Sequence, residues 1–157
     1  FDAVAYDPYV DPEEIIEAGA KCVENIEDLL KISDVVSLHV PLTDETRGMI
    51  GKRELELVGK NGFIINTSRG GVIDEESLVW AIENGKIAGA GLDVYADEPF
   101  QSNNPLSDIE KVVLTPHVAF KSVESELKQR EIVAENIRAV LTGREPINIV
   151  NKEIFSL

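Results

Sequence analysis

A buried-strand pattern that runs directly into a polar, glycine-containing turn constrains this chain more than any other feature. Phe63-Ile64-Ile65 has the length and β-branched character of a strand buried in a sheet. The next ten residues, 66–75, carry Arg69 and two glycines, and within them Asp74 is placed to cap a helix that runs to about residue 84. This order predicts a strand, a turn and a helix, which together form the repeating unit of a parallel α/β sheet.

The turn places one cation, Arg69, where such sheets bind ligands. In open parallel sheets, ligands bind at the carboxyl ends of the strands. The planar guanidinium of an arginine presents a fork of donors that matches a carboxylate. Two interpretations stay open at this level, a carboxylate-binding arginine and a surface arginine beside a flexible turn.

Strand and helix patterns alternate along the rest of the chain. Asp11 and Pro12 open a helix as an N-cap and a first-turn proline do, and apolar residues at helical spacing predict that the last helix is the longest. The predicted strands cover 2–6, 21–23, 34–40, 62–65, 88–94 and 111–114, and the predicted helices begin near residues 12, 25, 52, 75 and 122. The alternation predicts an α/β fold with a doubly wound parallel sheet, and we expect no domain boundary within the chain.

Charge and composition argue against several classes of function. The net charge is −14, from 29 acidic and 15 basic residues, and no basic stripe suited to nucleic acid or an anionic membrane is visible. No apolar run approaches the roughly 20 residues of a membrane span. Cys22 is the only cysteine, which favours a reducing, cytoplasmic environment. The chain starts at Phe1 inside a predicted strand, so we expect a fragment of a longer protein.

Three chemically active side chains are predicted to lie just past strand ends. Arg69 follows the fourth predicted strand, Glu98 follows the fifth and His117 follows the sixth. Loops after parallel strands open on the same edge of the sheet, so a cation, a carboxylate and an imidazole are expected to face one crevice. Each residue also has a simpler interpretation. The Asp-Glu-Pro sequence around Glu98 is typical of a solvated turn, and a single histidine such as His117 usually has no catalytic role. The two histidines show no metal-ligand spacing, so no metal is expected.

Four segments together resemble the nicotinamide-cofactor domain of the D-isomer-specific 2-hydroxyacid dehydrogenase family. They are His39-Val40-Pro41-Leu42-Thr43, residues 66–75, Gly91-Leu92-Asp93-Val94 through Asp97-Glu98-Pro99, and Thr115-Pro116-His117. The resemblance implies a Rossmann-like sheet and an NAD-dependent interconversion of a D-2-hydroxy acid and its 2-keto acid. It implies that Arg69 holds the substrate carboxylate and polarises the reacting oxygen, and that His117 takes the hydroxyl proton. Glu98 is then expected to bond to His117 and favour its protonated form.

The resemblance also implies a set of cofactor contacts. Asp7, at the end of the first predicted strand, is expected to bind the adenosine ribose hydroxyls and so to favour NAD over NADP, although an Asx turn before Pro8 is the alternative. Asp93 is expected to accept from the nicotinamide carboxamide. The remaining implied contacts are Val40, Pro41, Thr46, Thr67, Ser68, Arg69 and His117.

The sequence departs from the family pattern in one part of the cofactor site. The Gly-rich phosphate loop is absent, because Gly89-Ala90-Gly91 lies within a predicted strand and opens no helix. We therefore expect the loop and the first strand of the family to lie upstream of Phe1. Residues 1–157 are then most of a cofactor domain, with the substrate domain largely outside this chain. The missing strand is central in the usual order, so the chain by itself is expected to be unstable.

The residues after His117 bear on the substrate. An aromatic ring at Phe120 resembles the D-lactate dehydrogenase and C-terminal-binding-protein branches and would contact the substrate's side chain. The candidate substrates are 3-phosphoglycerate, D-lactate or a similar small acid, and the resemblance implies a homodimer or higher homo-oligomer. An NAD-sensing corepressor-type interaction protein on the same fold remains the alternative.

Overall fold

The computed structural model describes residues 2–152 of the chain. The described residues divide into two compact units, 2–117 and 118–152, and each is described by itself. The strands are β1 Val4–Ala5, β2 Lys21–Cys22, β3 Val35–Leu38, β4 Phe63–Asn66, β5 Gly89–Leu92 and β6 Val112–Leu114. The α-helices are α1 Pro12–Glu17, α2 Ile26–Ile32, α3 Lys52–Val58, α4 Glu75–Glu83 and α5 Val123–Leu141.

The strands of the first unit run parallel and end at the same level. The main sheet has the order β3-β4-β5-β6, and every neighbouring pair is parallel. Its register aligns the strand ends as Leu38, Asn66, Leu92 and Leu114. The loops that follow these strands therefore begin along one edge of the sheet, and the predicted parallel α/β fold is confirmed.

Strands β1 and β2 pair in parallel in a sheet of their own. Among residues 2–152, no described strand links β1 to β3. This separation falls where the sequence predicted an incomplete sheet, between the strands around Val4 and Val36.

The third and fifth strands are shorter than predicted because pairing ends with the partner, whereas the fourth keeps its predicted length and is shifted by one residue, to Phe63–Asn66. The third strand was expected to reach residue 40, but its last ladder residue is Leu38, which pairs with Asn66 at the end of β4. The same limit ends β5 at Leu92, since its partners end at Asn66 and Leu114. Residues 39–40 and 93–94 consequently belong to the loops of the candidate site.

Helices α2, α3 and α4 supply the core that packs with the main sheet. Leu30, Leu55 and Leu78 are fully buried and form one cluster with Ile64 of β4. Full burial of each such side chain contributes about 1.5–3 kcal/mol. Helix α4 begins as predicted, since the Asp74 side chain accepts from the Ser77 backbone N–H at 2.9 Å.

The second unit is built on α5, which starts at its N-cap Ser122, as the sequence predicted. The predicted apolar spacing is helical, but the side chains that carry it are exposed; they are Val123, Leu127, Val133, Ile137, Val140 and Leu141. Helical periodicity reports which residues share a face and does not report what covers that face. Within residues 2–152, none of the helices has both the length and the apolar character that a membrane span needs.

Candidate active site

The three predicted side chains all follow strands of the main sheet. Arg69 follows β4, Glu98 follows β5 and His117 follows β6, and the aligned strand ends bring these three loops to one edge. Two of the side chains are in direct contact, since His117 Nδ1 lies 2.7 Å from Glu98 Oε2. The imidazole of His117 and the carboxylate of Glu98 are therefore in contact, as the sequence predicted.

The surroundings of Glu98 keep it ionised. Its pKa is lowered from the ordinary value of 4.5, first by the hydrogen bond with His117, and further by the Tyr95 backbone N–H at 3.1 Å and the charges of His117 and Arg69. Burial opposes this shift. Both side chains remain solvent-accessible, at 42% for His117 and 36% for Glu98, so water screens their attraction.

The backbone of His117 adopts a conformation that few non-glycine residues accept. Its φ is 54°, in the left-handed region where histidine is among the more tolerated residues. The His117 N–H donates to the Thr115 carbonyl at 3.1 Å, which closes a tight turn across Pro116. Thr115 itself is anchored to the end of β5, because its N–H donates to Leu92 O at 3.0 Å.

A buried asparagine shapes the loop that carries Arg69. Asn66 is 1% exposed, and its Nδ2 donates to the Arg69 carbonyl at 2.9 Å. Its Oδ1 accepts from the Ser68 N–H at 3.0 Å and from the Ser68 hydroxyl at 2.9 Å. The Arg69 side chain is exposed, and its Nη1 donates to the Ser68 carbonyl at 2.6 Å. The loop backbone is thus fixed, and the Ser68 carbonyl takes only one of the five N–H donors of the guanidinium.

The loops after β4 and β5 are in contact because residue 70 has no side chain. A Cβ added at Gly70 would lie 1.8 Å from Tyr95 C and 2.0 Å from Tyr95 O. Any larger residue there would force the two backbones apart. The glycine therefore permits the loop of Arg69 to pack directly on the loop of Glu98.

The two carboxylates predicted to bind the cofactor, Asp7 and Asp93, follow different strands. Asp7 follows β1, its carboxylate is exposed, and its Oδ1 accepts from the Tyr9 N–H at 2.8 Å. The Asx turn is therefore present, and it engages one of the two carboxylate oxygens. Asp93 is buried at the end of β5, and its Oδ1 accepts from the Thr115 hydroxyl at 2.5 Å.

The loop after β3 contains the predicted groove residues. Thr46 is half-buried and donates its hydroxyl to the Pro41 carbonyl at 2.6 Å, and the Thr43 N–H donates to Thr46 Oγ1 at 2.8 Å. Val40 is half-buried, and Thr67 in the next loop is exposed. The structure thus ties Thr46 to Pro41 within one loop, and their role toward a cofactor stays a prediction.

Phe120, predicted to contact the substrate, belongs to the second unit. Its side chain is 61% exposed, and its carbonyl accepts from the Ser125 hydroxyl at 2.8 Å next to the start of α5. Lys121 of the same unit forms an ion pair with Glu126 at 3.4 Å. The proposed contact of Phe120 with a substrate stays a prediction.

Two residues of this site received no role from the sequence, Asn66 and Tyr95. Both stand in motifs that were quoted, but an asparagine before a turn and a tyrosine after a strand are common for local reasons. Their function depends on partners three to twenty residues away, which no local pattern specifies. Among the described residues, no group of three or more His, Cys, Asp or Glu side chains is placed to hold a metal ion.

Comparison with known proteins gives consistent matches. Residues 1–119 match the model of the D-isomer specific 2-hydroxyacid dehydrogenase, NAD binding domain. A glyoxylate reductase of Aeropyrum pernix is 45% identical over 141 residues, which covers 90% of this chain and 42% of the relative. A D-3-phosphoglycerate dehydrogenase of Methanocaldococcus jannaschii is 43% identical over 149 residues, which covers 94% of this chain and 28% of the relative.

A solved structure has the same fold over nearly the whole chain. The crystal structure of a D-lactate dehydrogenase with NAD+ from Lactobacillus jensenii superposes with a TM-score of 0.84 at 29% identity. The match covers 95% of this chain and 48% of that one. The chain therefore spans less than half the length of each of these proteins.

Proposed function

Because the chain belongs to the D-isomer specific 2-hydroxyacid dehydrogenase family, through its NAD binding domain, we propose that it is the cofactor domain of a longer NAD-dependent oxidoreductase. The resemblance predicted from the sequence is confirmed by this match, and so is NAD as the cofactor. The proposed reaction interconverts a D-2-hydroxy acid and its 2-keto acid. The substrate domain is proposed to lie outside this chain.

The observation that carries the proposal is the 2.7 Å contact of His117 with Glu98 at the sheet edge that also carries Arg69. In this proposal Arg69 binds the substrate carboxylate through its guanidinium fork. In the oxidation direction, His117 takes the proton of the substrate hydroxyl as the C2–H bond breaks. NAD, when bound, supplies the acceptor for the hydride that leaves C2.

Glu98 sets the protonation of His117 for both directions. Reduction of a keto acid needs a protonated imidazole to deliver a proton to the carbonyl oxygen, and oxidation needs the neutral ring. Because the Glu98 carboxylate contacts Nδ1 of His117, we assign proton transfer to and from the substrate to the other ring nitrogen, Nε2. Arginine stays charged throughout, so Arg69 also stabilises negative charge on the reacting oxygen.

The polar groups of the described residues fit a nicotinamide dinucleotide. The exposed Asp7 carboxylate at the end of β1 suits two ribose hydroxyl donors and repels a 2′-phosphate, which supports a preference for NAD over NADP. The Asp93 carboxylate at the end of β5 suits an amide donor. The further proposed contacts are Val40, Pro41, Thr46, Thr67, Ser68, Arg69 and His117.

The names of the relatives support a small 2-keto acid as the substrate. The two relatives are a glyoxylate reductase and a D-3-phosphoglycerate dehydrogenase. In the oxidation direction the candidate substrates are the 2-hydroxy acids 3-phosphoglycerate and D-lactate or a similar small acid, and the Phe120 ring is a proposed contact of the substrate's side chain. The single cysteine supports a cytoplasmic enzyme, and a homodimer or higher homo-oligomer rests on the family resemblance.

The test is turnover by the full-length protein. Loss of NADH absorbance is followed with glyoxylate, pyruvate and 3-phosphohydroxypyruvate, in the parent and in His117→Ala. We expect turnover of at least one keto acid, and a loss of about 10²–10⁴-fold in the variant, which is the usual contribution of general acid–base catalysis. NAD binding without turnover of any keto acid would contradict the enzyme and favour the NAD-sensing interaction protein.

A further inference from the structure

Tyr95 is buried at the point where the three site loops meet. It is 5% exposed, and its ring packs on Phe100 with centroids 4.3 Å apart. Its backbone N–H donates to Glu98 Oε1 at 3.1 Å, and its backbone carbonyl group forms the surface against which Gly70 packs. One residue therefore touches the loop of Arg69 and holds the side chain of Glu98.

The hydroxyl of Tyr95 reaches the third loop. It lies 2.7 Å from the Thr115 carbonyl and 3.2 Å from the Leu92 carbonyl, and since a hydroxyl has one proton, the shorter contact is the main bond. The Thr115 carbonyl is also the acceptor of the His117 N–H. The Tyr95 hydroxyl and the His117 backbone thus bond to the same oxygen atom.

This shared oxygen matters because the His117 backbone is strained. A residue held at a φ of 54° keeps that conformation only when its surroundings over-determine it. Thr115 is held by three hydrogen bonds. Its N–H donates to the Leu92 carbonyl, its hydroxyl donates to Asp93, and its carbonyl accepts from the Tyr95 hydroxyl. Of these three, only the hydrogen bond from Tyr95 is made to the Thr115 carbonyl oxygen, the atom that also accepts the N–H of His117.

We propose that Tyr95 is a positioning residue whose hydroxyl, by holding the Thr115 carbonyl, sets where His117 stands against Glu98. The inference rests on the proposed function and deepens it, because it names the group that orients the proton-transfer pair. Burial raises the pKa of the Tyr95 phenol above its ordinary value of 10.0, so the hydroxyl remains a donor throughout the neutral range.

The test compares Tyr95→Phe with Phe100→Leu in the full-length protein. The first variant removes only the hydroxyl and keeps the ring, whereas the second removes the neighbouring ring and keeps the hydroxyl. Three quantities are measured: kcat and KM for reduction of a keto acid across pH, the NAD dissociation constant, and amide hydrogen exchange in peptides that span residues 112–120.

We expect Tyr95→Phe to lower kcat roughly tenfold. This is less than the loss of about 10²-fold that a misplacement of about 1 Å can cause, because the hydrogen bond from the His117 N–H to the Thr115 carbonyl remains. KM and NAD affinity should stay near the parent values. The alkaline limb of kcat for reduction should move to lower pH, because a displaced ring gains less from Glu98. The other charged groups around this cluster, Arg69, Glu75 and Asp93, are unchanged in the variant.

The control separates positioning from packing. Phe100→Leu should lower the melting temperature and leave kcat and the alkaline limb at the parent values. Parent kcat and a parent pH profile in Tyr95→Phe would overturn the proposal, as would equal losses in the two variants.

Hydrogen exchange decides the proposal independently of turnover. Faster exchange at the His117 amide is expected in Tyr95→Phe and not in Phe100→Leu, because only the first loosens the turn. If the parent reduces no keto acid, the proposed function fails, yet faster exchange still supports the role of Tyr95 and unchanged exchange refutes it.

Discussion

Gly70 gives the sharpest test of how the site is assembled. In the structure, a Cβ at this position would lie 1.8 Å from Tyr95 C, 2.0 Å from Tyr95 O and 2.5 Å from Ala96 N. All three are backbone atoms, so no side-chain rotation can relieve the overlap. Gly70→Ala therefore requires that the loop after β4 and the loop after β5 move apart.

The size of the effect follows from that displacement. Ordinary van der Waals contact starts near 3.4 Å, so the two backbones must separate by roughly 1.5 Å. Forcing extra atoms into a packed region costs about 1–3 kcal/mol, and an overlap with backbone belongs at the upper end, near 3 kcal/mol. A misplacement of about 1 Å in a catalytic group can lower the rate on the order of 10²-fold, so we expect a fall of that size in kcat/KM.

The adjacent glycine provides the matched control. A Cβ at Gly71 would meet Leu42 Cδ2 at 3.1 Å and Cδ1 at 3.2 Å, and these methyl groups can rotate away. We expect Gly71→Ala to cost less than about 1 kcal/mol. The assay is urea denaturation and steady-state kinetics of the full-length protein in both variants. If Gly70→Ala is as stable and as active as Gly71→Ala, the two loops are not in contact and the reasoning is refuted.

Three further predictions test the proposed roles of single side chains. Asp7→Ala should weaken NAD binding and reduce the difference between the affinities for NAD and NADP. If calorimetry finds equal affinities of the parent protein for both cofactors, Asp7 is a turn residue only. Arg69→Lys keeps the charge but loses the fork, so kcat/KM should fall strongly while a separate NAD titration stays near the parent value; full activity would remove Arg69 from the site. Glu98→Gln keeps the shape and removes the charge, so the alkaline limb of the rate profile for reduction and the acidic limb for oxidation should both move to lower pH. Because the pKa of Glu98 is held below its ordinary value of 4.5, its carboxylate stays ionised above that value and is neutralised only as pH falls through the lowered pKa. Rate profiles whose limbs stay in place would refute the proposed effect of Glu98 on His117.

The elements that the sequence predicted well are those with local signals. Asp11, Asn25 and Asp74 were each placed at or next to a helix start, and each accepts a backbone hydrogen bond there as an N-cap. The strand before Arg69 was evident because Phe63-Ile64-Ile65 is apolar and β-branched. These signals act over three or four residues, so they do not depend on the rest of the fold.

The features that the sequence did not predict depend on distant partners. The apolar side chains of α5 have helical spacing, yet Val123 is 74% exposed and Leu127 is 56% exposed, because periodicity does not specify a covering surface. Tyr95 follows a strand like many aromatic residues, and its role comes from a carbonyl twenty residues further along the chain. The buried Asn66 likewise acts on a carbonyl in the following turn.

The register of the sheet explains why these three loops can form one site. The ends of β4, β5 and β6 align at Asn66, Leu92 and Leu114, so Arg69 and His117 each stand three residues beyond an aligned end. Glu98 stands six residues beyond its strand end, and an extended segment of that length would carry its carboxylate about 20 Å away from the edge. The chain must therefore fold back, and the bond from the Tyr95 N–H to Glu98 Oε1 closes that return. The short loops place the cation and the imidazole through strand pairing, whereas the carboxylate depends on contacts within its own loop, which is why changes at Gly70 and Tyr95 should act on the Glu98–His117 pair first.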